Sequence, residues 1–464
     1  MSATRIDTVA DGELSRSLSP RHLSMIAIGG VIGAGLFVGS GQAIKAAGPA
    51  VLITYVTTGM LVVLVMRMLG EMSTADPQTG SFSVYAERTF GRWAGFSVGW
   101  LYWWFWVVTI GVEATAGAVI VHRWIPGVPQ WAWALILMVA LTLTNLFSVK
   151  SYGEFEFWFA AIKVAAITVF LLLGIAVIVG LFPGTPSPGL TNLTGNGGFA
   201  PHGLGPVIAA SFVVVFSYFG AEIASVAATE TADPVNTVRK AVRSVLWRIL
   251  IFYVGSIAIV VTLLPYDDAS VSKSPYVAVL DKIGLPAAGT IMDAVVLTAV
   301  LSCLNSGLYS ASRMAFSLSG RGDAPKSWRK ISKAGVPQIA VLASTVVGFL
   351  TVALNFVVPD EVFSLMLNTS GAIALFVWLA IACAQLRMRR QLERESPERL
   401  VLKMWAFPYL TWVAIVAMVL LIVGMVLDDS GRPQALASLG LAVVVIAIGV
   451  VRQRRSQTSP SRSK

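Results

Sequence analysis

Stretches almost free of charge recur along the whole chain, for example at residues 170–182, 249–264, 338–358 and 436–451, and short polar segments separate them. Each run approaches the ~20 apolar residues that a helix needs to cross a hydrocarbon core. One such run could be a helix buried in a soluble domain; a dozen could not. Runs and breakers together predict twelve spans, near 22–41, 49–70, 94–121, 129–149, 157–181, 205–230, 247–265, 287–316, 337–357, 361–384, 407–427 and 435–451. The expected architecture is an all-α integral membrane domain over 21–452, flanked by tails at 1–20 and 453–464.

Two of these spans are poor helices. The first contains GGVIGAGLFVGSG (29–41), where each glycine costs about 1 kcal/mol relative to alanine. The sixth contains FSYFGAE (216–222), with Ser217, Gly220 and the carboxylate of Glu222 in mid-span. Two interrupted helices five spans apart predict a five-plus-five inverted repeat, with a binding site where the breaks meet. The halves cover about 21–181 and 205–384, and the last two spans, about 407–451, lie outside that core.

Composition agrees, and charge adds an orientation. Of 464 residues 56% are hydrophobic and 12% charged, roughly half the charge of an ordinary soluble domain; mean hydropathy is +0.76. Residues 1–20 are polar and carry both charge signs, so the first apolar run is expected to be an uncleaved span. The net charge of +10 does not imply a nucleic-acid partner, because the basic residues gather in alternate loops. One set holds Arg239, Lys240, Arg243 and Arg248, then five between Arg321 and Lys333, six between Arg387 and Lys403, and Arg452, Arg454 and Arg455 in the tail. The other set has little beyond Lys45, Arg123, Lys273, Lys282 and Arg432, and segment 182–204 has no lysine or arginine. The positive-inside rule then puts both termini in the cytoplasm of a multi-pass plasma (inner) membrane protein. The Ser- and Arg-rich end after Val451 reads as disordered. Cys303 and Cys383 fall inside spans and suggest no disulfide. No metal or cofactor is expected.

Unwinding a helix frees N–H and C=O groups that lipid cannot satisfy and a polar ligand can. The N–H groups at a half-helix start suit a carboxylate, and carbonyls at the other broken end suit an ammonium. The alternative for the glycines is close helix packing, since Gly29/Gly33 and Gly35/Gly39 are four apart. Glu113, Lys163 and Glu222 are predicted inside spans, where a charge costs at least ~2.5–3.5 kcal/mol. They face a cavity or one another, either to handle protons or only to fix packing. The histidines His22, His122 and His202 fall at span ends or in a loop. In the eighth span Ser302, Ser306, Tyr309 and Arg313 share a helix face, adjoined by Asn305 and Ser312. That face lines a pathway or a partner helix. The cluster YWWFW (102–106) in span three is a gate, an interfacial anchor or packing.

At these positions the chain resembles the amino acid permeases of the amino acid–polyamine–organocation superfamily, from about Ser19 to the last span. The matching stretches include AGPAVL (47–52), MRMLGEM (66–72), TGSFSVYAERTFGRWAG (79–95), SVKSYGEFEFWFA (148–160) and RGDAP (321–325). YWWFWV followed by Glu113, with EFEFW and SCLNS, looks specifically like the 4-aminobutyrate (GABA) permeases of that superfamily. The resemblance implies the LeuT-type fold with broken helices 1 and 6, and import of a small amino acid by proton symport. It implies that the substrate carboxylate meets the backbone of Ile32, Gly33, Ala34 and Gly35. The ammonium would meet carbonyls near the break spanning Phe216, Ser217, Tyr218 and Gly220. Phe216 matches an aromatic gate, and Lys163 stands where sodium-coupled relatives hold their ion. The face with Ser302, Asn305 and Ser306 matches a segment of the substrate path. GABA is the expected substrate; alanine, serine, glycine or proline is the alternative. A membrane-embedded enzyme would need a nucleophile–base pair or a metal cluster in the spans, and a channel a filter loop; no motif for either stands out.

Overall fold

The computed structural model describes Met25 and residues 31–78, 80–147, 149–228, 231, 233–285, 287–357, 362–429 and 432–458. The N-terminal tail, His22, Gly29 and residues 459–464 lie outside the described residues. Among the described residues the regular structure is helical: α1 (35–47), α2 (Val51–Ala75), α3 (Ser81–Phe90), α4 (Arg92–Trp124), α5 (Gln130–Phe147), α6 (Val149–Ile178), α7 (Leu204–Tyr218) and α8 (Ile223–Ala227). There follow α9 (Pro234–Leu263), α10 (Pro275–Ile283), α11 (Ala288–Gly320), α12 (Gln338–Val357), α13 (Val362–Glu395), α14 (Tyr409–Leu427) and α15 (Arg432–Thr458).

The distribution of apolar surface is inverted relative to a protein in water. Trp158 and Leu172 on α6, Leu420 on α14 and Val443 on α15 are each more than half exposed. The helices that carry them turn apolar faces outward, as lipid contact requires. Polar side chains go inward: Glu113, Lys163, Glu222 and Ser302 are all buried. α4 is the central post, packed against α11, α12, α13, α5 and α15. Gly91, at φ +97°, turns the chain sharply from α3 into α4, a conformation that a side chain resists.

Several helices outrun the apolar runs that predicted them. α6 starts at Val149 instead of 157. α13 runs on to Glu395, so Arg387, Arg389, Arg390 and Arg394 lie on helix and not in a loop. An Arg389–Glu393 pair, one turn apart at 2.8 Å, supports that extension. The basic stretch at 239–248 also belongs to a helix, the amphipathic start of α9. Hydropathy locates the part of a helix inside the bilayer; hydrogen bonding along the backbone carries the helix past it. α2 and α13 are tied together by Glu71, whose buried carboxylate accepts from Gln385 at 2.8 Å and from Arg389 and the Met404 N–H at 2.5 Å.

Candidate functional site

The two predicted breaks lie side by side. α1 opens on a π turn over Gly35–Gly39, preceded by the non-helical residues 31–33, and α7 ends at Tyr218 before the unwound residues 219–222. A β-carbon on Gly35 would lie 2.8 Å from the Ser217 Cα, so glycine there sets how closely the breaks approach. One on Gly33 would lie 2.6 Å from Glu113 Oε1 and 2.7 Å from the Cys303 Cβ. Gly220, at φ +112°, lets the second break form.

Buried backbone groups freed by unwinding need partners, and charged and phenolic side chains supply them. The Ala34 N–H donates to both carboxylate oxygens of Glu113, at 3.2 and 3.1 Å. The Gly220 N–H donates to Glu222 Oε2 at 3.0 Å. Each break thus presents an amide that a carboxylate from its own protein holds. On the acceptor side, Lys163 Nζ donates to the Ile32 carbonyl at 3.1 Å and to Ser302 Oγ at 2.8 Å. The Tyr253 hydroxyl lies 3.1 Å from the Val31 carbonyl and 3.0 Å from that of Ser217, bridging the two broken helices.

A small cavity lies between the breaks, walled by Gly33, Gly35, Glu113, Phe216, Ser217 and Cys303, with Phe105, Trp106, Thr109 and Phe219 closing its other side. Its water-accessible space is about 10 Å³, the scale of one water molecule. An amino acid fits only if side chains here give way. Phe105 and Phe219 pack with ring centres 3.9 Å apart, and Phe105 and Phe216 at 5.8 Å, forming an aromatic wall. The YWWFW cluster is divided by helical spacing: Phe105 and Trp106 reach the cavity, while Trp103 donates to Ser344 Oγ on α12.

The structure brings together Ile32, Gly33, Ala34, Gly35, Phe216, Ser217, Glu113, Lys163 and Ser302. Tyr218 lies just beyond, donating to the Tyr55 carbonyl. Asn305 and Ser306 are placed elsewhere on α11. Asn305 Oδ1 accepts from Asn145 on α5 at 2.6 Å, and Ser306 pairs with Tyr152 on α6 at 3.2 Å. Tyr309 stacks on Tyr152 with ring centres 4.3 Å apart, and the Arg313 guanidinium covers the Tyr309 ring. Below Ser302, the polar face of α11 is therefore a seam between helices.

Sequence reasoning missed Glu156, Tyr253 and Cys303. Ser302 Oγ–H donates to Glu156 Oε1 at 2.6 Å, and that oxygen is 4.0 Å from Lys163 Nζ. Glu156 fell one residue outside its predicted span. Its signal was the seven-residue interval to Lys163, two helical turns, which puts both on one face of α6. Tyr253 sits in a π-helical turn, Ile249–Gly255, a feature frequent at functional sites. Replacing Tyr253 with phenylalanine removes the one O–H that two buried carbonyls share. Losing that donor costs ~1–3 kcal/mol, so thermal unfolding in detergent should show a Tyr253→Phe protein destabilised, with slower uptake per folded molecule.

Comparison with known proteins adds three findings. The family described as "Amino acid permease" matches residues 22–456. The gamma-aminobutyric acid permease of Bacillus subtilis is 52% identical over 95% of this chain and 94% of its own length. That of Escherichia coli is 48% identical over 94% and 93%, and an aromatic amino acid transport protein of Corynebacterium glutamicum is 40% identical over 97% and 98%. Among solved structures, an Eremococcus coleocola manganese transporter superposes with a TM-score of 0.58 over 98% of this chain and all of its own. At 12% identity that likeness shows the fold alone, the LeuT-type arrangement.

Proposed function

We propose a substrate and a driving ion from one premise: this chain belongs to the amino acid permease family. It is a multi-pass membrane protein that transports amino acids. The proposed substrate is 4-aminobutyrate or a closely related small amino acid, imported together with a proton, with both termini in the cytoplasm. Near-complete alignment with two GABA permeases at 48–52% identity supports the substrate.

The observation that carries the mechanism is the Glu113 carboxylate seated on the Ala34 N–H. A substrate carboxylate seeks the same donor, because an amide at the start of a helix favours an anion. Glu113 and the substrate therefore compete. An ionised Glu113 keeps the amide; a protonated one accepts less strongly and yields it to the anionic substrate. Proton and substrate then enter together, which is symport. Lys163 supplies a fixed positive charge at the Ile32 carbonyl, in the place where a sodium-driven carrier needs an ion. Glu156 and Ser302 hold that ammonium in position. Glu222 caps the second break and is the second candidate proton carrier. Ile32, Gly33, Ala34, Gly35, Phe216, Ser217, Tyr218 and Gly220 are the proposed substrate contacts. Asn305 and Ser306 shape the helix that carries Ser302 and Cys303.

Uptake of labelled GABA into proteoliposomes, with a competition panel, tests the substrate. GABA separates its charges by more carbons than an α-amino acid does. Other short ω-amino acids should therefore compete well, and alanine, serine, glycine and proline weakly. Strong competition by alanine or serine with none by unlabelled GABA moves the chain to a neutral amino acid carrier.

A further inference from the structure

A second cavity also borders Val31; its water-accessible space is about 10 Å³, so it too receives a carboxylate only if side chains give way. It is lined by Val31, Val62, Tyr218, Ala221, Ile249 and Tyr253, together with Arg248. Val31 also borders the cavity that contains Glu113. Tyr253 lines the second cavity, and its hydroxyl reaches the carbonyls of Val31 and Ser217, two residues that line the first. Arg248 ends the basic start of α9, the side that faces the cytoplasm in the proposed orientation.

Lys240 and Arg243 of that stretch are exposed, but Arg248 is only 7% exposed. Its Nε and Nη2 donors have no hydrogen-bond partner. Among the described residues no carboxylate forms an ion pair with it. The walls offer little else: both phenols are engaged, Tyr253 as above and Tyr218 with the Tyr55 carbonyl, and the other lining side chains are apolar. A buried cation with idle donors is unfavourable unless something pairs with it. A guanidinium is the side chain best shaped to grip a carboxylate through two parallel hydrogen bonds.

We infer that this cavity is a second, transient anion site, in which Arg248 receives the carboxylate of the transported amino acid between the central site and the cytoplasm. The inference rests on the transport reading but not on the identity of the amino acid, because only the carboxylate is recognised. A small inorganic anion such as chloride shares that chemistry.

The experiment is side-specific kinetics in proteoliposomes of defined orientation, with whichever amino acid the wild-type protein carries best. Arg248→Gln should raise the KM measured from the cytoplasmic face by about 10-fold, the scale of one lost charge-assisted contact, and leave the opposite KM within about twofold. Arg248→Lys keeps the charge but not the fork, and should raise the cytoplasmic KM by an intermediate factor. It also serves as the decisive variant where the glutamine protein does not fold. Unchanged KM values, or equal changes at both faces, overturn the site. If replacing chloride by methanesulfonate, which carries no carboxylate, alters wild-type transport but not that of Arg248→Gln, the occupant is chloride and the carboxylate assignment falls. A wild-type protein that prefers alanine to GABA refutes the substrate proposal alone.

Discussion

Gly35→Leu should abolish uptake in a protein that still reaches the membrane. A β-carbon at this position already meets the Ser217 Cα at 2.8 Å and the Phe216 ring at 3.0 Å, so a leucine must push the two broken helices apart. Overpacking a well-filled contact costs ~1–3 kcal/mol or more, and every 1.4 kcal/mol is a factor of about ten. The expected loss is about 100-fold or greater, because the strain falls on the groups that receive substrate. Gly33→Leu should do the same by a different route, since its side chain collides with Glu113 and Cys303. Surface expression and size-exclusion profile report folding; initial uptake rate reports function. Near-normal uptake by both variants would remove the argument that substrate meets the backbone of the unwound segment.

The second large effect is on energetics rather than rate. Glu113→Gln keeps an oxygen that can accept from the Ala34 N–H but cannot take up or release a proton. With no sodium present and a pH gradient of about two units imposed, this protein should lose gradient-driven accumulation, by up to about 100-fold, since one coupled proton supplies about tenfold per pH unit. Exchange of labelled for unlabelled substrate should persist, because exchange needs no net proton movement. Glu222→Gln is the parallel test at the other break, where the side chain caps Gly220. If either carboxylate only stabilises packing, its glutamine variant loses folded protein and uptake in proportion. Wild-type uptake that depends on sodium and ignores the pH gradient would sink the proton mechanism.

The breaks themselves were legible because glycine and mid-span polar residues have no other comfortable place in a lipid-facing helix. So were the buried charges at 113, 163 and 222, since lipid makes any intramembrane charge conspicuous. Glu156 was not, because an apolar-run boundary drew its span from 157 when the helix begins at Val149. The serine and asparagine face of α11 was visible as a face, but its neighbours were not. Ser302 meets Lys163 near the break, whereas Asn305 and Ser306 meet α5 and α6.

By itself, the sequence determined the membrane class, the two interrupted segments and the family. The first two follow from local composition, which the bilayer enforces residue by residue; the family follows from motifs that match it. Only the tertiary structure decided which side chain satisfies which freed backbone group. Glu113 reaches Ala34 across 79 residues, Lys163 reaches Ile32 across 131, and Tyr253 reaches Val31 across 222. No local pattern encodes such pairings, because they depend on how whole helices pack. The same holds for Arg248: along the chain it is one more basic residue of an amphipathic stretch, and only the packing of α9 against α2, next to Val31, Tyr218 and Ala221 of the two breaks, buries its guanidinium beside the site.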